Sequence, residues 1–159
     1  MLLVIGALIL AACAPAATAT TTTTNNTSST TSQATGAKIN LNTATSDELL
    51  TAIPGFGNRM VREFQEYRPY ISIQQFRKEI GKYVDDAQVA EYEKYVYVPI
   101  AINDSDSETL QQIPGLDSTE ADSVISSRPY ASSEAFLTKL SEFVSADELE
   151  TAKSYLENN

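Results

Sequence analysis

The chain has 159 residues, with 11 Lys and Arg against 21 Asp and Glu, a formal net charge of −10, no His, no Trp and one Cys. That composition excludes Ser-His-Asp and Cys-His nucleophile pairs, thiolate zinc clusters and any intramolecular disulfide, and leaves carboxylates as the candidate catalytic groups. The acidic balance weighs against nucleic acid, because phosphate contacts depend on Lys and Arg. Residues 1–36, however, hold no charged side chain, so the whole −10 belongs to the rest of the chain.

Met1 to Leu10 is an apolar run, too short to span a membrane but of the length of a signal-peptide core. It leads into Leu10-Ala11-Ala12-Cys13, which resembles the lipobox of bacterial lipoproteins. The resemblance implies a signal peptide over residues 1–12, cleavage before Cys13 and lipidation of that Cys. No Lys or Arg precedes the apolar run, so a start further upstream or an unusually short leader is expected. Residues 13–36 are Thr-rich and of low complexity, unable to bury enough apolar surface to offset their ordering entropy. They are expected to form a disordered tether with a mean reach of about 25–30 Å.

The remainder contains a duplication. Ile53-Pro54-Gly55 is matched by Ile113-Pro114-Gly115, and Arg68-Pro69-Tyr70 by Arg128-Pro129-Tyr130, both at an offset of 60. The same offset pairs Glu48 with Glu108, Phe76 with Phe136 and Tyr95 with Tyr155, while Ile39-Asn40-Leu41-Asn42 matches Ile100-Ala101-Ile102-Asn103 after a slip of one residue. The units are residues 37–99 and 100–159.

Each unit reads as four short helices. In the first, Thr45-x-x-Glu48 has capping-box form, Asn58 is placed to cap a second helix carrying Met60, Val61, Phe64 and Tyr67, and Arg68-Pro69 ends it. Ser72 starts a third helix, and Asp85 or Asp86 a fourth that holds Val89, Tyr92, Tyr95 and Val96. Ser105, Ser118, Ser132 and Ser145 are the corresponding starts in the second unit. Short connections make neighbours pack as hairpins. The expected fold is all-α: two tandem units of short helices after a tether.

The element suited to binding is Ile53-Pro54-Gly55-Phe56-Gly57-Asn58-Arg59. Two glycines allow a sharp turn and close backbone approach, and the helix that follows points free N–H groups and its positive dipole end outward, an anion site. Arg59, and Arg62 one turn on, would flank a bound phosphate.

These words, with Ile39-Asn40-Leu41-Asn42-Thr43-Ala44 and Glu48-Leu49, resemble helix-hairpin-helix modules, in the paired form of ComEA-like competence DNA-uptake proteins. The resemblance covers residues 38–98 well and 100–157 more loosely. It implies sequence-independent contact with the DNA backbone through Gly55, Phe56, Gly57, Asn58 and Arg59, with Arg62 beside them. Ile80-Gly81-Lys82-Tyr83-Val84 takes the place of a second hairpin without its second glycine, making Gly81 and Lys82 auxiliaries. Modules of this kind also serve as rigid protein-binding or architectural pieces, as in a small extrinsic photosystem II subunit that resembles these units.

In the second unit Asp117 replaces the second glycine, and Glu120 and Asp122 replace Met60 and Arg62. Residues 37–100 carry eight basic and nine acidic residues, and residues 101–159 three and twelve. The anion site is expected to be lost from the second copy while its fold survives. The acidic residues lack calcium-loop spacing, the Tyr residues at helical spacing are expected in the core rather than stacking on bases, and Arg68 and Arg128 are expected to be structural. No catalytic residue, metal site or cofactor is expected. The leading expectation is a lipid-anchored extracytoplasmic protein of the cell envelope, held through Cys13 at the outer membrane or the outer face of the cytoplasmic membrane, that binds DNA weakly through its first unit. The alternative is a non-catalytic envelope scaffold whose acidic second unit meets a protein partner.

Overall fold

A computed structural model describes residues 37–157; the expected signal peptide, Cys13 and tether lie outside the described residues. Two short strands and eight helices follow in order: β1 (Ile39–Asn40), α1 (Ser46–Ala52), α2 (Asn58–Glu66), α3 (Ile73–Ile80), α4 (Asp86–Tyr92), β2 (Val96–Tyr97), α5 (Ser107–Leu110), α6 (Ser118–Ser126), α7 (Ser133–Leu140) and α8 (Ala146–Tyr155). The fold is all-α, with α1–α4 in repeat 1 and α5–α8 in repeat 2.

Local sequence accounts for the helix starts. Thr45 and Glu48 close a capping box on α1, Ser72 accepts from Gln75 N–H at α3, Asp85 from Gln88 N–H at α4, and Ser132 from Ala135 N–H at α7. Ser145 and Glu148 form another box at α8. Such caps satisfy N–H groups that have no partner within the helix. Three expected caps move by one residue. Gly57 is the extended residue before α2, so Asn58 is already helical and does not cap it. Asp117 rather than Ser118 caps α6, in a box with Glu120. At α5 the cap is Asp106, because Ser105 is buried and its hydroxyl accepts Ala101 N–H at 3.0 Å.

The fourth helix is also shorter than expected. α4 stops at Tyr92, and Val96 and Tyr97 leave it to form β2, which pairs in parallel with β1 in the register Ile39 with Val96 and Asn40 with Tyr97. Tyr95 and Val96 continue the spacing of Val89 and Tyr92, but the run through Val98 and Pro99 favours extended backbone. Repeat 2 closes the same way, Ile100 bridging Leu156 in parallel. Each repeat thus ties its first residues to its last.

Two hydrophobic cores result. The first gathers Leu41, Leu49, Ile53, Phe56, Phe64, Tyr70, Phe76, Ile80 and Tyr92, with Phe64 edge-on to Phe56 at 4.7 Å and to Phe76 at 5.2 Å. The second gathers Ile100, Leu110, Ile113, Leu116, Val124, Phe136, Leu140 and Tyr155. Tyr70, Tyr92, Tyr97, Tyr130 and Tyr155 are buried in these cores, and Tyr67, Tyr83 and Tyr95 are half-buried.

The repeats meet through α3 and α5. Thr109, fully buried, accepts the Ile73 N–H at 3.0 Å, and the Gln112 amide bonds both the N–H (2.8 Å) and the C=O (3.2 Å) of Val98. Arg77 bridges Glu93 of repeat 1 and Glu108 of repeat 2, each at 2.7 Å. Residues 96–100, Pro99 among them, are all buried, so the connection is part of the packed body.

Candidate nucleic-acid interface

The turn after α1 is built around Phe56. Its ring is 8% exposed and packs edge-on to Phe64 and Tyr92, which pulls the middle of the turn inward while Gly55 and Gly57 stay at the surface. Gly55 has φ +70°, a left-handed conformation that costs an ordinary residue about 1–2 kcal/mol. Nothing lies within 4 Å of where a Cβ on Gly55 or Gly57 would stand, so the outer face of the turn is open.

α2 leaves this turn without a cap. Among the described residues it alone of the eight helices has no side chain accepting its first N–H groups. Those donors and the positive end of the helix dipole face solvent, an arrangement that attracts anions. Asn58, Arg59 and Arg62 are exposed. Arg59 and Arg62 lie on neighbouring positions of one helix face, and neither makes an ion pair or a hydrogen bond among the described residues. Most other cations are engaged. Arg77 holds two carboxylates, Lys94 pairs with Glu91 and Lys153 with Glu150, each at 2.5 Å, and Lys139 with Glu142 at 2.6 Å.

Gly81 and Lys82 are not part of this arrangement. Gly81 ends α3 with ordinary right-handed dihedrals of −59° and −11°, closely matched by Ser141 in repeat 2 at −63° and −9°, so no glycine turn is built there. Lys82 pairs with Glu79 and lies 4.9 Å from the ring centre of Tyr67. Tyr67 follows the last residue of α2, so Lys82 stands at the opposite end of that helix from Gly57, about 15 Å away at 1.5 Å per residue.

The Arg-Pro-Tyr motifs are structural. Arg68 donates to Ala44 O at 2.7 Å, and Arg128 to Ile102 O at 3.0 Å and Ser105 O at 2.6 Å. Burial lowers the pKa of both guanidinium groups. Both guanidinium groups donate to backbone carbonyls of their own repeat.

In repeat 2 the same turn is covered. Leu116 takes the place of Phe56 at 6% exposure and Gly115 has φ +81°. Asp117 accepts the Glu120 N–H at 2.9 Å and Glu120 accepts the Asp117 N–H at 2.9 Å. A Cβ on Gly115 would lie 2.6 Å from Glu148 Oε1 and 2.7 Å from Oε2. The sequence marks Glu148 only as a helix-capping residue, and nothing in it signals a contact 33 positions away.

A cavity of about 250 Å³ opens at the joint between the repeats, beside Lys38, Arg77, Glu93 and Glu108. Burial lowers the Lys38 pKa against the opposing pull of Glu93, and both carboxylates are already held by Arg77. Among the described residues no group of three or more His, Cys, Asp or Glu could hold a metal ion, and no helix is long and apolar enough to cross a membrane. Compared with known proteins, the chain matches no family model, no curated protein and no solved structure.

Proposed function

We propose that the chain is a non-catalytic, lipid-anchored envelope protein of the helix-hairpin-helix, ComEA-like type, binding DNA weakly and without sequence preference through the turn at Gly55–Arg59. The observation that carries the reading is the uncapped start of α2, with Arg59 and Arg62 exposed and unpaired beside it. Backbone N–H groups hold a phosphate oxygen regardless of base sequence, and the two guanidinium groups add charge-assisted contacts to the same strand. The acidic second repeat limits the affinity, since its field repels the polyanion.

A fragment of residues 37–159, which carries both cores, tests this by fluorescence titration against a labelled duplex. With about two phosphates neutralised, binding should weaken about tenfold between 50 and 200 mM salt. Arg59→Glu should weaken it strongly. No detectable binding near 50 mM salt overturns the reading.

A second reading is favoured by repeat 2, where twelve acidic residues face three basic ones and the turn is covered by carboxylates. It is an envelope scaffold whose acidic half meets a basic protein partner. A pull-down from envelope extract in which deleting residues 101–159 removes the partner supports this reading, and retention of the partner counts against it.

A further inference from the structure

Tyr67 and Tyr83 lie 16 positions apart and meet through their hydroxyls, whose oxygens are 2.7 Å from each other. Tyr67 follows the last residue of α2, and Tyr83 stands in the connection between α3 and α4. Their ring centres are 6.3 Å apart, with the planes at 49°. Two phenols set in line through a hydroxyl contact would hold their centres further apart. These rings are therefore bent toward each other, and the Cε carbons that flank the two hydroxyls approach. Both residues are half-buried, and Tyr67 packs against the first core.

The fold does not require this pair. The offset of 60 places Ser127 and Phe143 at the same two positions of repeat 2, and that repeat keeps its four helices and its own core. Another close pair differs in kind. Tyr97 and Tyr155 stack at 4.2 Å, but both are buried, and the Tyr97 hydroxyl donates to Ser154 O at 2.8 Å. Tyr67 and Tyr83 instead turn their hydroxyls on each other at a position that solvent reaches. The Tyr67 hydroxyl and the Glu63 carboxylate both raise the Tyr83 pKa. That keeps the phenol protonated at neutral pH and sets a carboxylate beside it to take the proton when an electron leaves. Residues 37–157 contain no Cys, so a covalent staple there has to come from other side chains.

We propose that Tyr67 and Tyr83 are a cross-linking pair, coupled carbon to carbon into a dityrosine by hydrogen peroxide acting through a haem peroxidase. Each phenol gives up one electron and one proton, and the two phenoxyl radicals join through one Cε of each ring. Each of these carbons then releases its hydrogen as a proton while each phenol oxygen regains one, which restores both aromatic rings. The peroxide takes up the two electrons and two protons and leaves as two waters. The new bond ties the end of α2 to the connection between α3 and α4, and it restricts the unfolded chain as a disulfide does.

The test is oxidation of the full-length chain by hydrogen peroxide and a haem peroxidase, at a dilution that disfavours coupling between molecules. The monomer should gain dityrosine fluorescence and yield, on digestion, a cross-linked peptide joining residues 67 and 83 that is lighter by two hydrogens than its two parts. Its urea midpoint should lie above that of the untreated chain. Tyr67→Phe and Tyr83→Phe each remove one hydroxyl and keep the ring, and each should lose nearly all of the monomer fluorescence. A cross-link mapped to Tyr97 and Tyr155 or to any other pair, coupling only between molecules, or no coupling at all overturns the proposal. Undiminished fluorescence in Tyr83→Phe does the same. A cross-linked monomer whose urea midpoint has not moved overturns the stapling of α2.

Discussion

The side chain of Asn42 and the main chain of Tyr70 hold each other at both ends: Tyr70 N–H donates to Asn42 Oδ1 at 2.8 Å, and Asn42 Nδ2 donates to Tyr70 O at 2.9 Å. Asn103 and Tyr130 repeat the pair at 2.7 and 3.1 Å. The clamp joins the opening segment of each repeat to the Arg-Pro-Tyr corner after its second helix. It explains why the two motifs recur together despite the one-residue slip between them.

Asn42→Ala removes both bonds and leaves the polar backbone of a fully buried Tyr70 unpaired, at a cost of about 2 kcal/mol. Asn103→Ala should cost a similar amount, and the two should add, because they share no partner. Urea denaturation of the single and double variants measures both. A double variant no less stable than either single one contradicts independent clamps.

The joint between the repeats depends on Thr109. Thr109→Val keeps the shape but leaves the Ile73 N–H buried without its acceptor, costing about 1–3 kcal/mol, whereas Thr109→Ser retains the hydroxyl. Hydrogen exchange at the Ile73 amide should be faster in the Val variant and close to wild type in the Ser variant. Equal exchange in all three shows that the hydroxyl does not hold the joint.

Basic residues should divide by location. Arg59→Glu and Arg62→Glu should each weaken DNA binding strongly, while Lys82→Glu should have little effect, since Lys82 is engaged with Glu79 and Tyr67 at the far end of α2. The comparison is made in one salt buffer with the same duplex. A loss with Lys82→Glu as large as that with Arg59→Glu places the contact elsewhere.

Acid sensitivity follows from two capping carboxylates. Bonds from the backbone N–H and hydroxyl of Thr45 hold Glu48 below the usual carboxylate value of 4.5, and Ser145 does the same for Glu148. A folded-state pKa below the unfolded one means stability that is present above about pH 4.5 and lost as the pH falls through the folded value. Glu148→Gln should therefore flatten the fall in Tm between pH 5 and pH 3, with little change in shape at neutral pH. A wild-type profile and a variant profile that run parallel would falsify this linkage.

The two glycines should respond differently to alanine. Gly55→Ala meets open space and should cost about 1–2 kcal/mol for its left-handed backbone alone. Gly115→Ala should cost slightly more, because it also moves the flexible carboxylate end of Glu148 off the turn and away from Ser145. In a Glu148→Ala background the damage at Gly115 should fall toward that at Gly55. An unchanged cost there shows that the carboxylate does not press on the turn.

Much of the architecture is legible in the sequence because it is local. Capping residues three positions from their targets, apolar spacing along each helix and Pro at the corners fix the eight helices, and the offset of 60 fixes the repetition. Where the reading slips, the reason is also local. Asn58, Ser105 and Ser118 are capable caps, but each lies beside the residue whose extended backbone takes that place. Tyr95 and Val96 keep helical spacing past α4, and only pairing with Ile39, more than fifty residues earlier, makes that stretch β2.

The sequence by itself determines the helical repeats, the Gly55-Phe56-Gly57 turn and the concentration of acid in the second half, because propensity, capping and charge act over a few residues. Tertiary structure decides which cations are free and which turn is open. Arg59 and Lys82 are both cations beside a glycine turn or helix end, and the docking of α2 against the end of α3 lays Lys82 beside the Tyr67 ring while Arg59 has no partner among the described residues. The same packing brings Glu148 over Gly115 and leaves Gly55 uncovered, since contacts between distant segments depend on how the helices dock rather than on any short run of residues.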